Sequence, residues 1–107
     1  MSLQAFDVSL ELIRSLERPL ASLDRRDGDL ARQLRRAAAS VSLNLSEGSR
    51  RQGKDRIHLW RIAAGSADEV AASLRVAEAF GYLQATASAQ SLAICDRVLA
   101  MIWRLTH

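Results

Sequence analysis

Residues 34–51 read LRRAAASVSLNLSEGSRR. Apolar side chains recur at Leu34, Ala37, Val41 and Leu45, steps of three and four that place them on one face of an α-helix. Alanine, leucine and arginine are good helix formers, so propensity and pattern agree. Working backward, Leu30 continues the face and Asp27 or Asp29 supplies an N-cap oxygen. Working forward, Gly48 is expected to end the helix in the left-handed conformation open to glycine. The predicted span is about Asp29 to Glu47. A polar row runs through the same stretch: Arg36, Ser40, Asn44 and Glu47 are spaced four, four and three apart, and so line up along the helix.

The flanking sequence repeats this grammar. Phe6, Leu10, Ile13, Leu16, Leu20 and Leu23 predict a first helix from about Leu3 to Leu23. Pro19 lies inside it and should kink it or end it early, because proline removes a donor and crowds the preceding turn. A turn is expected over 24–29. After the polar stretch 49–53, a helix from about Lys54 to Phe80 carries Ile57, Trp60, Ala64, Ala67, Val70, Leu74 and Ala77 in register, and Gly81 stops it. A last helix, about Thr86 to Leu105, is apolar at Leu92, Cys95, Leu99 and Ile102, with a second row at Ile94, Val98, Met101 and Leu105. That wide face fits either a central, well-buried helix or a subunit interface. Short connections make neighbours antiparallel, so the expected fold is all-α: an up-down-up-down antiparallel four-helix bundle, one domain over 1–107.

Composition closes off several functions. The stretch MSLQAFDVSLELIR lacks the basic-then-apolar order of a signal peptide, and no run of about 18 uncharged apolar residues spans a membrane; the expected location is the cytoplasm. A lone Cys95 on an apolar face, with no histidine near it in sequence, reads as core. There is no Glu-x-x-His, Cys-x-x-Cys, glycine-rich phosphate loop or serine nucleophile elbow. No enzyme, metal or cofactor is expected.

Two features remain as candidate sites. The first is the polar row Arg36, Ser40, Asn44, Glu47, with Gly48 at its end and Gly65, Ser66 and Glu69 as a small-and-polar cluster on the next helix. Its expected role is structural, a buried network fixing helix register with each polar group paired; the rival reading makes Arg36, Asn44 and Glu47 a ligand pocket. The second is basic: Arg25, Arg26, Arg32, Arg35, Arg50, Arg51, Lys54 and Arg56, within a chain of formal net charge +3. Consecutive loops lie at opposite ends of a bundle, so Arg25–Arg26 and Arg50–Arg51 cannot form one patch, although Arg32, Arg35 and Arg56 can join them into a stripe. Such a stripe suits nucleic-acid phosphates. Aromatic residues are too few to suggest base stacking, which argues against reading single strands. The alternative is an oligomeric scaffold or protein-binding module.

The stretch 34–51, followed by RIAAGSADEV at 61–70 and AFGYL at 79–83, resembles four-helix-bundle proteins encoded in intervening sequences of bacterial large-subunit ribosomal RNA genes. The accessory variability proteins of diversity-generating retroelements are similar. The pattern maps onto Arg36, Ala37, Ala38, Ser40, Val41, Asn44, Leu45, Glu47, Gly48, Arg51, Gly65, Ser66, Glu69, Gly81 and Tyr82. Ser42 stands where the family has proline, which should leave this helix straighter, and Leu59 replaces its aromatic, with Trp60 alongside. The resemblance implies a homopentamer, a ring around a central channel. From the retroelement relatives it implies a basic surface that binds nucleic acid and a protein partner.

Overall fold

The computed structural model describes residues 3–107; Met1 and Ser2 of the expected 1–107 unit lie outside the described residues. The fold is all-α. Among the described residues there are five helices rather than the four expected: α1 Gln4–Ser15, α2 Glu17–Arg26, α3 Gly28–Ser49, α4 Gly53–Ala79 and α5 Ala85–Thr106. They form a body of 43 × 22 × 21 Å. α4 packs against α3 and α5, α1 against α5 and α3, and α2 mainly against α3.

The extra helix comes from Pro19. With no N–H, proline cannot bond the carbonyl four residues earlier, that of Ser15. The helix breaks there: Leu16 takes φ −86°, ψ −1° between α1 and α2, and its N–H reaches back only to Ile13 O at 3.1 Å. The Ser15 carbonyl is not left orphaned, because the Ser91 hydroxyl of α5 lies 3.3 Å away and donates to it. Ser15 and Ser91 hydroxyls also meet at 2.7 Å. The segment expected as a turn over 24–29 is helical to Arg26, and Asp27 alone makes the corner. Its Oδ1 accepts from Leu30 N at 3.1 Å, the N-cap bond foreseen for Asp27 or Asp29.

Leu12, Leu16, Leu23, Leu34, Val41, Leu45, Val70, Leu74, Val98 and Ile102 are fully buried. On α3 the expected face, Leu30, Leu34, Ala37, Val41 and Leu45, is the one that is buried. On α5 the two apolar rows merge: Cys95 and Ile102 of one and Ile94 and Val98 of the other all enter the core. On α1 the expected face is displaced. Ala5, Val8, Ser9 and Leu12 face inward, whereas Phe6 and Leu10 are half-buried and Ile13 is 38% exposed. Both flanks of α1 are apolar, so spacing does not choose between them. The small side chains of the inner flank let α1 lie close to α3 and α5.

Two glycines behave differently from one another. Gly81 has φ 78° and closes α4 as expected, with Tyr82 N bonded to Ala77 O and Gly81 N to Glu78 O, both at 2.9 Å, the paired bonds of a left-handed helix end. Gly48 does not take that conformation. It stays helical inside α3, and the positive-φ glycine at this corner is Gly53, φ 58°, which opens α4. What Gly48 supplies is space: a Cβ there would lie 2.6 Å from Cδ1 and Nε1 of Trp60.

Candidate nucleic-acid interface

The polar row of α3 lies along its boundary with α4, but it is neither fully buried nor continuous. Ser40 is its centre. The Ser40 and Ser66 hydroxyls meet at 2.7 Å across the two helices, and Asn44 Nδ2 donates to Ser40 Oγ at 3.0 Å and to Ser40 O at 2.9 Å. Further along, Glu47 turns outward. Its carboxylate accepts from Arg50 Nη2 and Arg51 Nη2, each at 2.7 Å, and these two bonds hold its pKa below the ordinary carboxylate value, Arg51 contributing more. Arg36 is exposed and has no hydrogen-bond or ion-pair partner among the described residues. Glu69 and Gly65 are exposed too, and a Cβ at Gly65 would meet nothing within 4 Å. Gly65 is therefore not the close-approach point between α3 and α4.

That point is Gly48. The Trp60 indole lies over it, and its Nε1 donates to Leu45 O at 3.2 Å. Arg56 closes the arrangement. Its Nε donates to Gly48 O at 3.2 Å, a carbonyl that also accepts from Arg51 N at 3.1 Å, and its Nη2 donates to Ser49 O at 3.1 Å at the end of α3. The same guanidinium stands 5.3 Å from the Trp60 ring centre, within cation–π range. Of the eight basic candidates, Arg56 is thus built into the fold.

The others remain at the surface in two groups. Arg25 and Arg26 end α2, and Arg32 and Arg35 lie on the first turns of α3. Arg35 is clamped to Asp24 by two 2.7 Å bonds, which lower the Asp24 pKa and raise that of Arg35. Arg32 pairs with Asp29. Arg50, Arg51 and Lys54 lie at the far end of α3, the length of its 22 residues away, or about 33 Å. Among the described residues, Arg26 and Lys54 have neither hydrogen-bond nor ion-pair partners. The surface thus carries two cationic ends, each partly neutralised by local carboxylates, joined by Arg32 and Arg36 along α3.

Three serine pairs join the helices, and the sequence pattern pointed only to Ser40–Ser66. Ser9 and Ser42 hydroxyls meet at 2.7 Å between α1 and α3. Ser9 Oγ also contacts Phe6 O at 2.6 Å as donor, leaving Ser42 to donate within the pair. The available signal was positional: Ser9, Ser42 and Ser91 fall on apolar faces, where a hydroxyl needs a partner. Among the described residues, no group of histidine, cysteine, aspartate and glutamate could hold a metal, and no helix is long and apolar enough to cross a membrane. Burial pushes the Cys95 thiol up to about 12, with Asp96 and Asp68 adding to the shift.

A family model and a solved structure bear on the family and on the fold, respectively. The family description "23S rRNA-intervening sequence protein" matches residues 2–104. A crystal structure from Bacteroides thetaiotaomicron, described as a protein with unknown function from the S23 ribosomal protein family, superposes with a TM-score of 0.84 at 19% identity. The match covers 95% of this chain and 97% of that one. No curated protein matches.

Proposed function

The chain belongs to the 23S rRNA-intervening sequence protein family, and from that premise we propose that it is a non-enzymatic, homo-oligomeric bundle that binds RNA or DNA backbone through its arginine-rich surface. In this reading α1 and α2 act as one broken rod, so that the five helices make an antiparallel four-helix bundle over 1–107, assembled in the cytoplasm as a ring-shaped homopentamer. A kinship with the accessory proteins of diversity-generating retroelements belongs to the same proposal.

The observation that carries the binding half is the set of cations the fold leaves uncommitted. Arg26, Arg36 and Lys54 face solvent without carboxylate partners among the described residues, and Arg25 adjoins Arg26 at the end of α2. Self-assembly draws support from the outer surface. Ile13, Leu43, Ile62 and Val76 are exposed by 38%, 67%, 39% and 43%, and Gly65 leaves open space that no neighbour in the chain requires. A second helix approaching there would need a glycine.

Electrophoretic mobility shift with a structured RNA and a DNA duplex, over a range of salt, tests the binding. Affinity should fall steeply as salt rises, because each phosphate contact releases counterions. Absence of binding at low salt, or an affinity indifferent to salt, overturns it. Light scattering tests assembly: the expected mass is several times the chain's 11.8 kDa, and a clean monomer at micromolar concentration refutes the ring.

A further inference from the structure

Trp103 falls in neither apolar row of α5, and the fold turns it outward: it is 61% exposed. His107 stacks on the indole, with ring centres 3.3 Å apart and planes inclined by 22°. The imidazole is held there through Nδ1, which lies 3.1 Å from Trp103 O and 3.1 Å from Thr106 Oγ1. An aromatic of this size in water forgoes a large burial gain.

Cationic groups adjoin this platform. Arg61 Nη2 donates to Thr106 O at 3.3 Å, which fixes a guanidinium against the same end of α5. Arg61 also lines an open groove of about 710 Å³ with Lys54, Arg56, Ile57 and His58. No carboxylate lines that groove among the described residues. Lys54 and Arg61 are seven residues apart on α4, about 10 Å along its axis, which matches about three steps of a stacked strand.

We propose that the Trp103–His107 stack and the groove between Lys54 and Arg61 form one site for a single-stranded nucleic acid, with an unpaired base on Trp103 and backbone phosphates along Lys54, His58 and Arg61. The proposal rests on the nucleic-acid reading above and narrows it from phosphate backbone in general to unpaired strand. A duplex keeps its base faces stacked inside, where an exposed indole cannot reach them; a single strand presents both a π-face and regularly spaced charge. An exposed indole three residues from Thr106, whose carbonyl is bonded by Arg61 of a groove that no carboxylate lines among the described residues, matches that pair of features. Uniform contact along a duplex would need no indole.

The test uses the intact protein and a fluorescently labelled ten-nucleotide oligouridine RNA, beside an RNA duplex of the same length, with anisotropy as readout. The single strand should bind more tightly than the duplex and quench indole emission. Trp103→Ala should weaken single-strand binding roughly 5- to 100-fold, the value of one base–aromatic stack, and leave duplex binding nearly unchanged. Trp103→Phe should retain most of the affinity, and Lys54→Gln should lower the salt slope by about one. Single-strand affinity undiminished in Trp103→Ala overturns the proposal. So does unaltered indole emission on binding to the native protein, a readout that needs no variant to fold. If the protein binds duplex with salt-dependent affinity and shows no preference for single strands, this inference fails while the backbone reading stands. If it binds neither, both fail.

Discussion

The two ends of α3 are built on different principles. At its start, Asp27 caps the helix with a half-buried bond and Asp24 clamps Arg35 from α2 in solvent, and the arginines around them stay at the surface. At its end, Gly48 lets Trp60 lie against the backbone, and Arg56 fastens both helices by bonding the last carbonyls of α3. At one end the arginines stay on the surface, and at the other one arginine has become part of the frame. Residue type does not separate the two uses; the presence of a buried aromatic and of helix-end carbonyls within reach does.

Damage at the far end should greatly exceed damage at the near one. Trp60→Ala should show the largest loss, about 3–5 kcal/mol in denaturant unfolding, from lost packing and the missing bond to Leu45 O. Gly48→Ala should follow with about 1–3 kcal/mol, because the new Cβ falls 2.6 Å from the indole and the ring must shift. Combined, the two should be less than additive, since the alanine methyl enters space the indole has vacated. Asp27→Ala should lose about 1 kcal/mol, the value of one N-cap. A Trp60→Ala protein as stable as Asp27→Ala would break the comparison.

The smallest effect sharpens it instead. Glu47 and Asp24 both have pKa values lowered by arginine hydrogen bonds. A carboxyl whose native pKa is depressed adds stability above its unfolded value, near 4.5 for Glu47, and loses it as pH falls through the native value. The acid limb of the stability profile should therefore flatten slightly in Glu47→Gln and in Asp24→Asn, by similar small amounts, because both clamps face water. Stability at neutral pH should scarcely change by thermal unfolding. A large loss in either variant would show that its clamp supports packing at its end of α3.

The helical class and most of the packed faces could be read from the chain. Leu34, Ala37, Val41 and Leu45 can reach one core only if the segment is helical, and Asp27 opens α3 and Gly81 closes α4 by local geometry alone. Pro19 announced a break, though not that the break would divide one helix into α1 and α2. The register of α1 was out of reach, since Phe6, Leu10 and Ile13 are as apolar as Val8 and Leu12 and the spacing rule admits both sets. The candidate site was legible in a weaker sense. Sequence placed Arg32, Arg35 and Arg56 on their helices but put Arg25 and Arg26, which end α2, in a loop; the arginines' partners were unknown, and Trp103, which falls in neither apolar row of α5, was passed over.

By itself, then, the sequence determined what depends on neighbours within a turn or two: the helical state, its stops, and the row of Arg36, Ser40, Asn44 and Glu47. Tertiary structure decided what depends on distant partners. It split that row into a serine bridge to Ser66 and a surface clamp at Glu47, and it made Gly48 a packing site rather than a helix end. It also satisfied the carbonyl freed by Pro19 with a hydroxyl 76 residues away. The physical reason is the range of the interactions: backbone hydrogen bonds and caps act within a few residues, whereas burial and side-chain pairing are settled only when a second helix arrives.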